Sequence, residues 1–331
     1  MTQRFPFSPY PTGWYRVAYT DELRVGQVVP LQYFGKALVL FRTTDGRAHV
    51  LDAHCPHLGA HLGIGGTVVG ETIRCPFHGW RFDGSGRCSH DVPCAKVPGW
   101  TVEEINGVIF AYHDVHGKAP SWHVPPHPEL HSADWTRMRV IGRWRVRTHV
   151  QELNENGVDL AHYTVVHGVA FERTLDDSVE TDGPLLTFRM TPRYRQKILS
   201  SFLPAARGSL EIRYYGLGTA YARVHVESVV KVAFTVMTLL TPIDDDHVDI
   251  HMTMSMRKLW SPLATRWMFS QLSRQSVAAL TEDVPILENK IYRSAPLYGK
   301  GDGQIARFRR WATQFYAETE NERKAVADGE R

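Results

Sequence analysis

Between residues 14 and 113 the apolar positions come in short runs cut by glycine, such as Ala37–Arg42 (ALVLFR) and Gly107–Tyr112 (GVIFAY). Turn dipeptides are dense among them: Asp45-Gly46, Gly65-Gly66 and Asp83-Gly84. Short apolar strands separated by such turns predict a small all-β unit. From His116 to Trp135 the apolar period vanishes and Pro120, Pro125, Pro126 and Pro128 appear, which reads as a connection lying on the surface. The second half mixes periods. Arg223–Val236 alternates, with Val224, Val226, Val230, Val232 and Phe234 on one face. After Asp244-Asp245-Asp246, Val248, Ile250, Met252, Met254 and Met256 alternate with Asp249, His251, Thr253 and Ser255. Two period-2 runs about an acidic turn predict an antiparallel hairpin. From Pro262 to about Tyr292 the spacing becomes helical, through Trp267, Leu272, Val277, Ala278, Leu280 and Ile286, and Ile305–Ala327 reads as a charged amphipathic helix. The fold class is therefore α+β: a β-rich N-terminal unit, then a sheet with helices.

Composition narrows the function. At 331 residues there is room for two domains, and 43% hydrophobic with 22% charged residues is ordinary for a globular chain. Lys+Arg 38 against Asp+Glu 35 leaves a net charge of +3, too balanced to make nucleic acid or an anionic membrane the expected main partner. The apolar stretch Val232–Leu240 is too short to span a bilayer, and MTQRFPFSPYP lacks the basic and apolar blocks of a secretory leader. A cytoplasmic protein is expected. Four cysteines are too few for a disulfide framework in a chain this long, so their neighbours decide their use.

Two of them sit beside histidines. Cys55-Pro56-His57 and Cys75-Pro76-Phe77-His78 each offer one thiolate and one imidazole. A Rieske [2Fe–2S] cluster needs that division, two thiolates on one iron and two imidazoles on the other. Gly59, Gly63, Gly79 and Gly84 allow tight loops around the ligands. Zinc is the competing reading, but zinc fingers order their ligands as a cysteine pair followed by a histidine pair. Cys88 and Cys94 are surplus to four ligands and read as packed or free thiols; His54 and His61 read as loop residues making hydrogen bonds.

A second group lies in QELNENGVDLAHYTVVHG, residues 151–168, which sets Asp159, His162 and His167 in one short helical segment. Asp159 and His162, three apart, share a face. His162 and His167, five apart, point about 140° from each other on a regular helix. Both reach one ion only if the helix ends between them, which Gly168 allows. Two histidines and a carboxylate form the facial triad of non-heme Fe(II) oxygenases. For a third ligand, LTEDVPILENKIY (280–292) offers Glu282, Asp283 and Glu288.

These residues resemble the terminal oxygenase component of the Rieske non-heme iron oxygenases, over nearly the whole chain. The branch most resembled is that of 3-ketosteroid 9α-hydroxylase oxygenases and cholesterol 7-desaturases, through FPFSPYPTGWYRVAY, CPFHGWRFDGSGRC, the ENG-VDLAH segment and EDVPILENK. The resemblance implies an all-β Rieske domain at 1–116, a Pro-rich connection at 117–135 and a helix-grip (START-like) antiparallel-sheet catalytic domain at 136–331. It implies cluster ligands Cys55, His57, Cys75 and His78, and iron ligands His162, His167 and Asp283. It gives Asp159 the role of a bridge between subunits, from an iron histidine to either His57 or His78 of a neighbour, within a homotrimer. The 170–215 region would line or lid the pocket. Electrons would come from a separate NAD(P)H-dependent reductase, with or without a ferredoxin, since the chain has no Gly-rich nucleotide fingerprint. O₂ would be the co-substrate and a hydrophobic, steroid-like molecule the substrate, to be hydroxylated or desaturated. An aromatic or natural-product substrate is the alternative. A Rieske electron carrier with a non-catalytic binding domain, holding two irons rather than three, and a zinc-stabilised binding protein are the rival classes.

Overall fold

The computed structural model describes residues 4–89, 95–171, 179–193, 207–227, 231–299 and 302–316. Ten strands form the N-terminal part: β1 (Gly13–Tyr19), β2 (Val28–Tyr33), β3 (Lys36–Arg42), β4 (Ala48–Asp52), β5 (Thr67–Val69), β6 (Thr72–Arg74), β7 (Arg81–Asp83), β8 (Gly99–Trp100), β9 (Val102–Ile105) and β10 (Val108–His113). They make three small antiparallel sheets, ordered β1-β10-β9, β2-β3-β4-β8 and β5-β6-β7. The third projects two loops, one between β4 and β5 and one between β6 and β7, each carrying one Cys-His pair.

The connection is more than a surface strap. It contains α1 (Pro128–His131), buries Val124 and His127, and places the Trp122 carbonyl 2.8 Å from Trp14 Nε1.

Beyond it come β11 (Arg139–Val146), α2 (Val150–Asn156), α3 (Leu160–Val165), β12 (Ala170–Phe171), β13 (Val179–Asp182), β14 (Leu185–Met190), β15 (Pro192–Arg193), β16 (Arg207–Tyr215), β17 (Thr219–Glu227), β18 (Val232–Pro242), β19 (Val248–Met256), α4 (Pro262–Asn289) and α5 (Gly303–Ala312). The strands form one antiparallel sheet, β11-β19-β18-β17-β16-β14-β13, with β12 and β15 at its side. The long helix α4 packs across it: Leu280 and Leu287 share a core with Leu186, Phe188, Ile212 and Met252. This is the all-β domain followed by a large antiparallel sheet and helices that the sequence predicts.

Several details differ from the sequence reading. The β18–β19 hairpin turns at the acidic triplet as expected, but Arg223–Val236 is not one strand. Val224 and Val226 belong to β17, Val232 and Phe234 to β18, and β17 pairs antiparallel with β18. Alternation continues across the break, which is why the two strands read as one; Val230 lies outside the described residues. The polar face of β19, whose surroundings the alternation does not reveal, is an enclosed one. Asp249, His251, Thr253 and Ser255 are largely enclosed, Asp249 and His251 by β1 and β2 of the N-terminal part, while Ser255 Oγ donates to Thr136 O at 2.6 Å. Arg16 reaches Asp249 at 2.5 Å and the Tyr33 hydroxyl at 2.8 Å, Tyr33 reaches Asp249 at 2.7 Å, and Tyr19 contacts His251 Nδ1 at 3.0 Å. A buried charge requires such partners. Burial pushes the Asp249 carboxyl up, but the His251 hydrogen bond and the Arg16 charge outweigh it and hold the pKa below the ordinary value.

Along α4, Leu272 and Leu280 face the core, whereas Trp267 and Ile286 point outward. The C-terminal helix spans Gly303–Ala312, and residues 317–327 of the expected Ile305–Ala327 helix lie outside the described part. The leading arm, residues 4–12, folds back onto the catalytic half. Arg4 donates to the carbonyls of Lys290 (2.9 Å), Arg147 (2.6 Å) and Leu287, and Thr12 N–H donates to Phe315 O at 2.7 Å.

Candidate metal centres

The two Cys-His loops have one backbone design. Cys55 O accepts from Gly59 N–H (2.9 Å) and Cys75 O from Gly79 N–H (3.2 Å), and both glycines take left-handed φ, +75° and +78°. The cysteines are drawn inward by Cys55 N–H to Ala60 O (2.9 Å) and Cys75 N–H to Trp80 O (2.7 Å), so both thiols are buried while His57 and His78 stand exposed at the tips. The two imidazoles lie 4.5 Å apart between centroids, and His57 stacks on Trp80. Cys55 and Cys75 are close enough to share a hydrogen bond, and burial pushes the Cys55 thiol up. Two buried sulfurs beneath two exposed imidazoles match a cluster whose thiolate iron is inside and whose imidazole iron faces out. His54 Nδ1 contacts Gly59 O at 3.2 Å and His61 Nδ1 accepts from Gly63 N–H at 3.0 Å, the loop-bracing roles expected of them. Cys88 is half-buried beside this site, and Cys94 lies outside the described residues.

The second constellation is assembled by a helix that stops. Asp159 is the N-cap of α3, its Oδ1 accepting from His162 N–H at 3.0 Å. The helix ends at Val165, and Gly168, at φ +66°, turns the chain so that His167 swings back toward His162. From α4, Asp283 Oδ1 lies 2.7 Å from His162 Nε2 and 3.2 Å from His167 Nε2. These three donors form the one His/Cys/Asp/Glu group among the described residues whose ligand atoms all fall within 4.8 Å of one another. Donors about 2.1 Å from a common ion and at right angles to each other stand about 3.0 Å apart, so the spacing suits a facial triad.

The neighbours fix the rings. His167 Nδ1 contacts Glu282 Oε2 at 3.0 Å, an arrangement that orients a ligating imidazole. Hydrogen bonding to Asp283 raises the His167 pKa against its burial; burial pushes the Asp283 carboxyl up, but the two histidine hydrogen bonds prevail and lower it. His162 Nδ1 is buried without a partner among the described residues. Of the three acids considered as third ligand, Asp283 meets both histidines, Glu282 meets the far side of one, and Glu288 accepts from Arg147 N–H at 3.3 Å, away from the site. The role of Glu282 was not legible beforehand; its only sequence signal is adjacency to Asp283 on a helix.

The triad lies at one end of a cavity of about 290 Å³. Its floor is three cross-strand rows on β16, β17 and β18: Leu210–Val224–Phe234, Ile212–Ala222–Val236 and Tyr214–Ala220–Thr238. The two alanines on the middle strand leave the hollow; Leu272 and Leu280 of α4 cover it. Such a pocket takes an apolar ligand and offers few hydrogen bonds. Beneath it, α2 carries two buried carboxylates, Glu152 and Glu155, met by Lys290 (2.8 Å) and by a two-pronged Arg309 (2.6 and 2.8 Å). These supports went unseen in the sequence, where nothing near Glu152 or Glu155 points to Lys290 or Arg309.

Residues 111–316 match the family described as the 3-ketosteroid 9alpha-hydroxylase C-terminal domain, and residues 13–106 match the Rieske [2Fe-2S] domain. A cholesterol 7-desaturase of Bombyx mori is 32% identical over 94% of this chain and 70% of its own length. The oxygenase component of a 3-ketosteroid-9-alpha-monooxygenase from Rhodococcus rhodochrous is 29% identical over 94% of this chain and 85% of that protein. Among solved structures, dicamba monooxygenase bound to dicamba superposes with a TM-score of 0.72 at 21% identity, covering 95% of this chain and 98% of that one.

Proposed function

The chain belongs to the 3-ketosteroid 9α-hydroxylase family of Rieske non-heme iron oxygenases, and on that premise we propose that it hydroxylates or desaturates a steroid-like substrate at a centre held by His162, His167 and Asp283. The observation that carries the reading is the convergence of those three donors at the end of an apolar cavity, in a chain that also presents the paired Cys-His loops. The enzyme uses a Rieske cluster and a mononuclear iron, with O₂ as co-substrate and a separate reductase as the electron source. In this reading Cys55, His57, Cys75 and His78 hold the cluster. The domains divide as 1–116, 117–135 and 136–331, the location is cytoplasmic, and the working unit is a homotrimer. Among the described residues no helix is long and apolar enough to cross a membrane.

A cluster held by Cys55, His57, Cys75 and His78 would supply single electrons, imidazole ligation setting its potential high enough for a separate reductase to charge it, and an iron held by His162, His167 and Asp283 would supply O₂ activation. The protein does the rest. The rows over Ala220 and Ala222 bind a flat alicyclic skeleton by burial alone and exclude water from the reacting carbon. Asp159 fixes the start of α3, and therefore His162, while its carboxylate bridges toward a cluster histidine of a neighbouring subunit. Glu282 holds the His167 ring through Nδ1.

Iron counting with low-temperature EPR tests the assignment. The wild type should hold three irons per chain. Asp283→Asn should hold two, keeping the Rieske signal while losing turnover. Three irons retained in Asp283→Asn would remove that residue from the ligand set, and two in the reconstituted wild type would leave only an electron carrier. A steroid panel under ¹⁸O₂ separates oxygen insertion, which labels the product, from loss of two hydrogens without label.

A further inference from the structure

The near-neutral total charge conceals a local imbalance. From Ile250 to Thr281 there is no Asp or Glu, yet Arg257, Lys258, Arg266 and Arg274 all fall there, and all four are exposed. None of them forms an ion pair among the described residues. Arg139 of β11 adds a fifth cation: with Lys258, Arg266 and Phe269 it lines a cleft of about 630 Å³, its guanidinium carbon 5.7 Å from the centre of the Phe269 ring. Asp134 lies beside them, its backbone oxygen accepting from Lys258 N–H at 2.8 Å, and Asp21 and Glu22 line a second cleft together with Arg139.

The same stretch displays large apolar side chains. Trp260 is 76% exposed, Leu263 80% and Trp267 44%. At about 100° per residue, Leu263, Trp267 and Arg274 fall within about 40° of one another on α4, with Arg266 about 60° to one side. The pocket-lining positions Leu272 and Ala279 lie on the opposite side of the helix. The outer face of the first turns of α4 is thus tryptophan, leucine and arginine, ahead of Glu282. Water is a poor partner for the apolar members, and a globular protein seldom exposes such a group without a use for it.

We propose that this face, centred on Trp260 and Leu263 and rimmed by Arg139, Arg257, Lys258 and Arg266, is a docking surface for an anionic lipid bilayer. The occupant follows from charge and residue type together. Tryptophan settles at the boundary between headgroups and acyl chains, arginine and lysine pair with headgroup phosphates, and the two kinds alternate here over one exposed face. Docking is peripheral, by a helix face rather than a spanning segment. It does not depend on what the cavity holds, though a surface of this kind would bring the enzyme to any substrate dissolved in lipid.

Co-sedimentation of the full chain with vesicles tests this, comparing phosphatidylcholine alone with phosphatidylcholine containing about a third phosphatidylglycerol. The protein should pellet with the anionic vesicles and much less with the neutral ones, and rising salt should weaken binding. Each basic residue near such a surface is worth about fivefold in partition, so Lys258→Glu with Arg266→Glu should reduce it at least twentyfold. Trp260→Ser with Leu263→Ser should reduce it as well, both variants keeping the wild-type melting temperature and visible Rieske spectrum. Failure of the wild type to pellet, equal binding to both vesicles, or unchanged partition in a folded variant overturns the proposal. So does a fall in oligomeric mass by light scattering in the Trp260→Ser, Leu263→Ser variant, which would make the face a contact between copies.

Discussion

Replacing Arg309 with alanine should destabilise the catalytic domain. Its Nε and Nη2 grip Glu155 at 2.6 and 2.8 Å, its Nη1 donates to Arg293 O at 2.7 Å, and its guanidinium carbon lies 4.5 Å from the centre of the Tyr292 ring. The Glu155 side chain is 8% exposed and that of Arg309 15%, so water cannot replace the lost partner. Stranding one member of a buried pair costs about 3–5 kcal/mol, and losing the contact with Tyr292 adds about 0.5–1 kcal/mol. For a domain near 200 residues that is roughly a 10 °C fall in melting temperature. Arg309→Lys keeps the charge but loses the fork and should recover less than half. The double change Glu155→Gln, Arg309→Met removes both charges and should be milder than Arg309→Ala alone, giving a large coupling energy in the four-corner cycle. Because α2 leads directly into Asp159 and α3, mononuclear iron should be lost from Arg309→Ala before the Rieske signal falls. A melting temperature within about 2 °C of wild type, or additive single changes, would refute the claim that this pair supports the site.

Three further outcomes are expected. Asp159→Asn keeps an equally good N-cap and should leave stability within a few tenths of a kcal/mol, whereas Asp159→Ala should lose about 1 kcal/mol; both should lose turnover and slow single-turnover reoxidation of the cluster, and wild-type rates in Asp159→Asn would end its bridging role. Gly168→Ala forces a side chain into left-handed backbone, costing about 1–2 kcal/mol, and should lower iron content through the adjacent His167, read by metal analysis beside a melting curve. Burial lowers His149 to about 3 and His127 to about 4. Both fold with pKa values below the unfolded 6.5, so the unfolded state takes up their protons first. Stability should be complete above about pH 6.5 and fall by about 1.4 kcal/mol per unit for each group as pH drops toward those values, in urea titrations across that range. In His149→Asn, which can still cap α2, the decline should be shallower by one proton.

The sequence was most readable where chemistry is local. Each Cys-His loop is a short segment whose ligands, glycine and turn sit together, and the ending of α3 before His167 follows from helical geometry and one glycine. Asp283 was reachable only through resemblance, because three acids within seven residues look alike until the sheet beneath the helix selects a face. The strand break between Val226 and Val232 was invisible since alternation carries through it. What lies against the polar side of β19 was not legible for a related reason: period 2 shows that a face is polar, not whether water or a second domain covers it. Trp267 likewise fits a helical period yet faces outward. What escaped altogether are pairs joined over long separations, such as Arg309 with Glu155 and Arg16 with Asp249, for which no local pattern exists.

The leading arm has a consequence for biogenesis. Arg4 closes onto carbonyls of Leu287 and Lys290, and Thr12 onto Phe315, so a segment that emerges early from the ribosome has no seat until nearly three hundred further residues have followed it. The core under the Cys-His loops needs no such wait, since Val39, Phe41, Leu51, Leu62, Ile73, Phe82 and Val97 pack among themselves, whereas Trp14, Tyr19, Val108 and Phe110 pack against Tyr215, Tyr221, Met237 and Leu239. The loops that carry the cluster ligands can therefore form early, while the oxygen-handling half closes only when residues far apart in sequence are tied together.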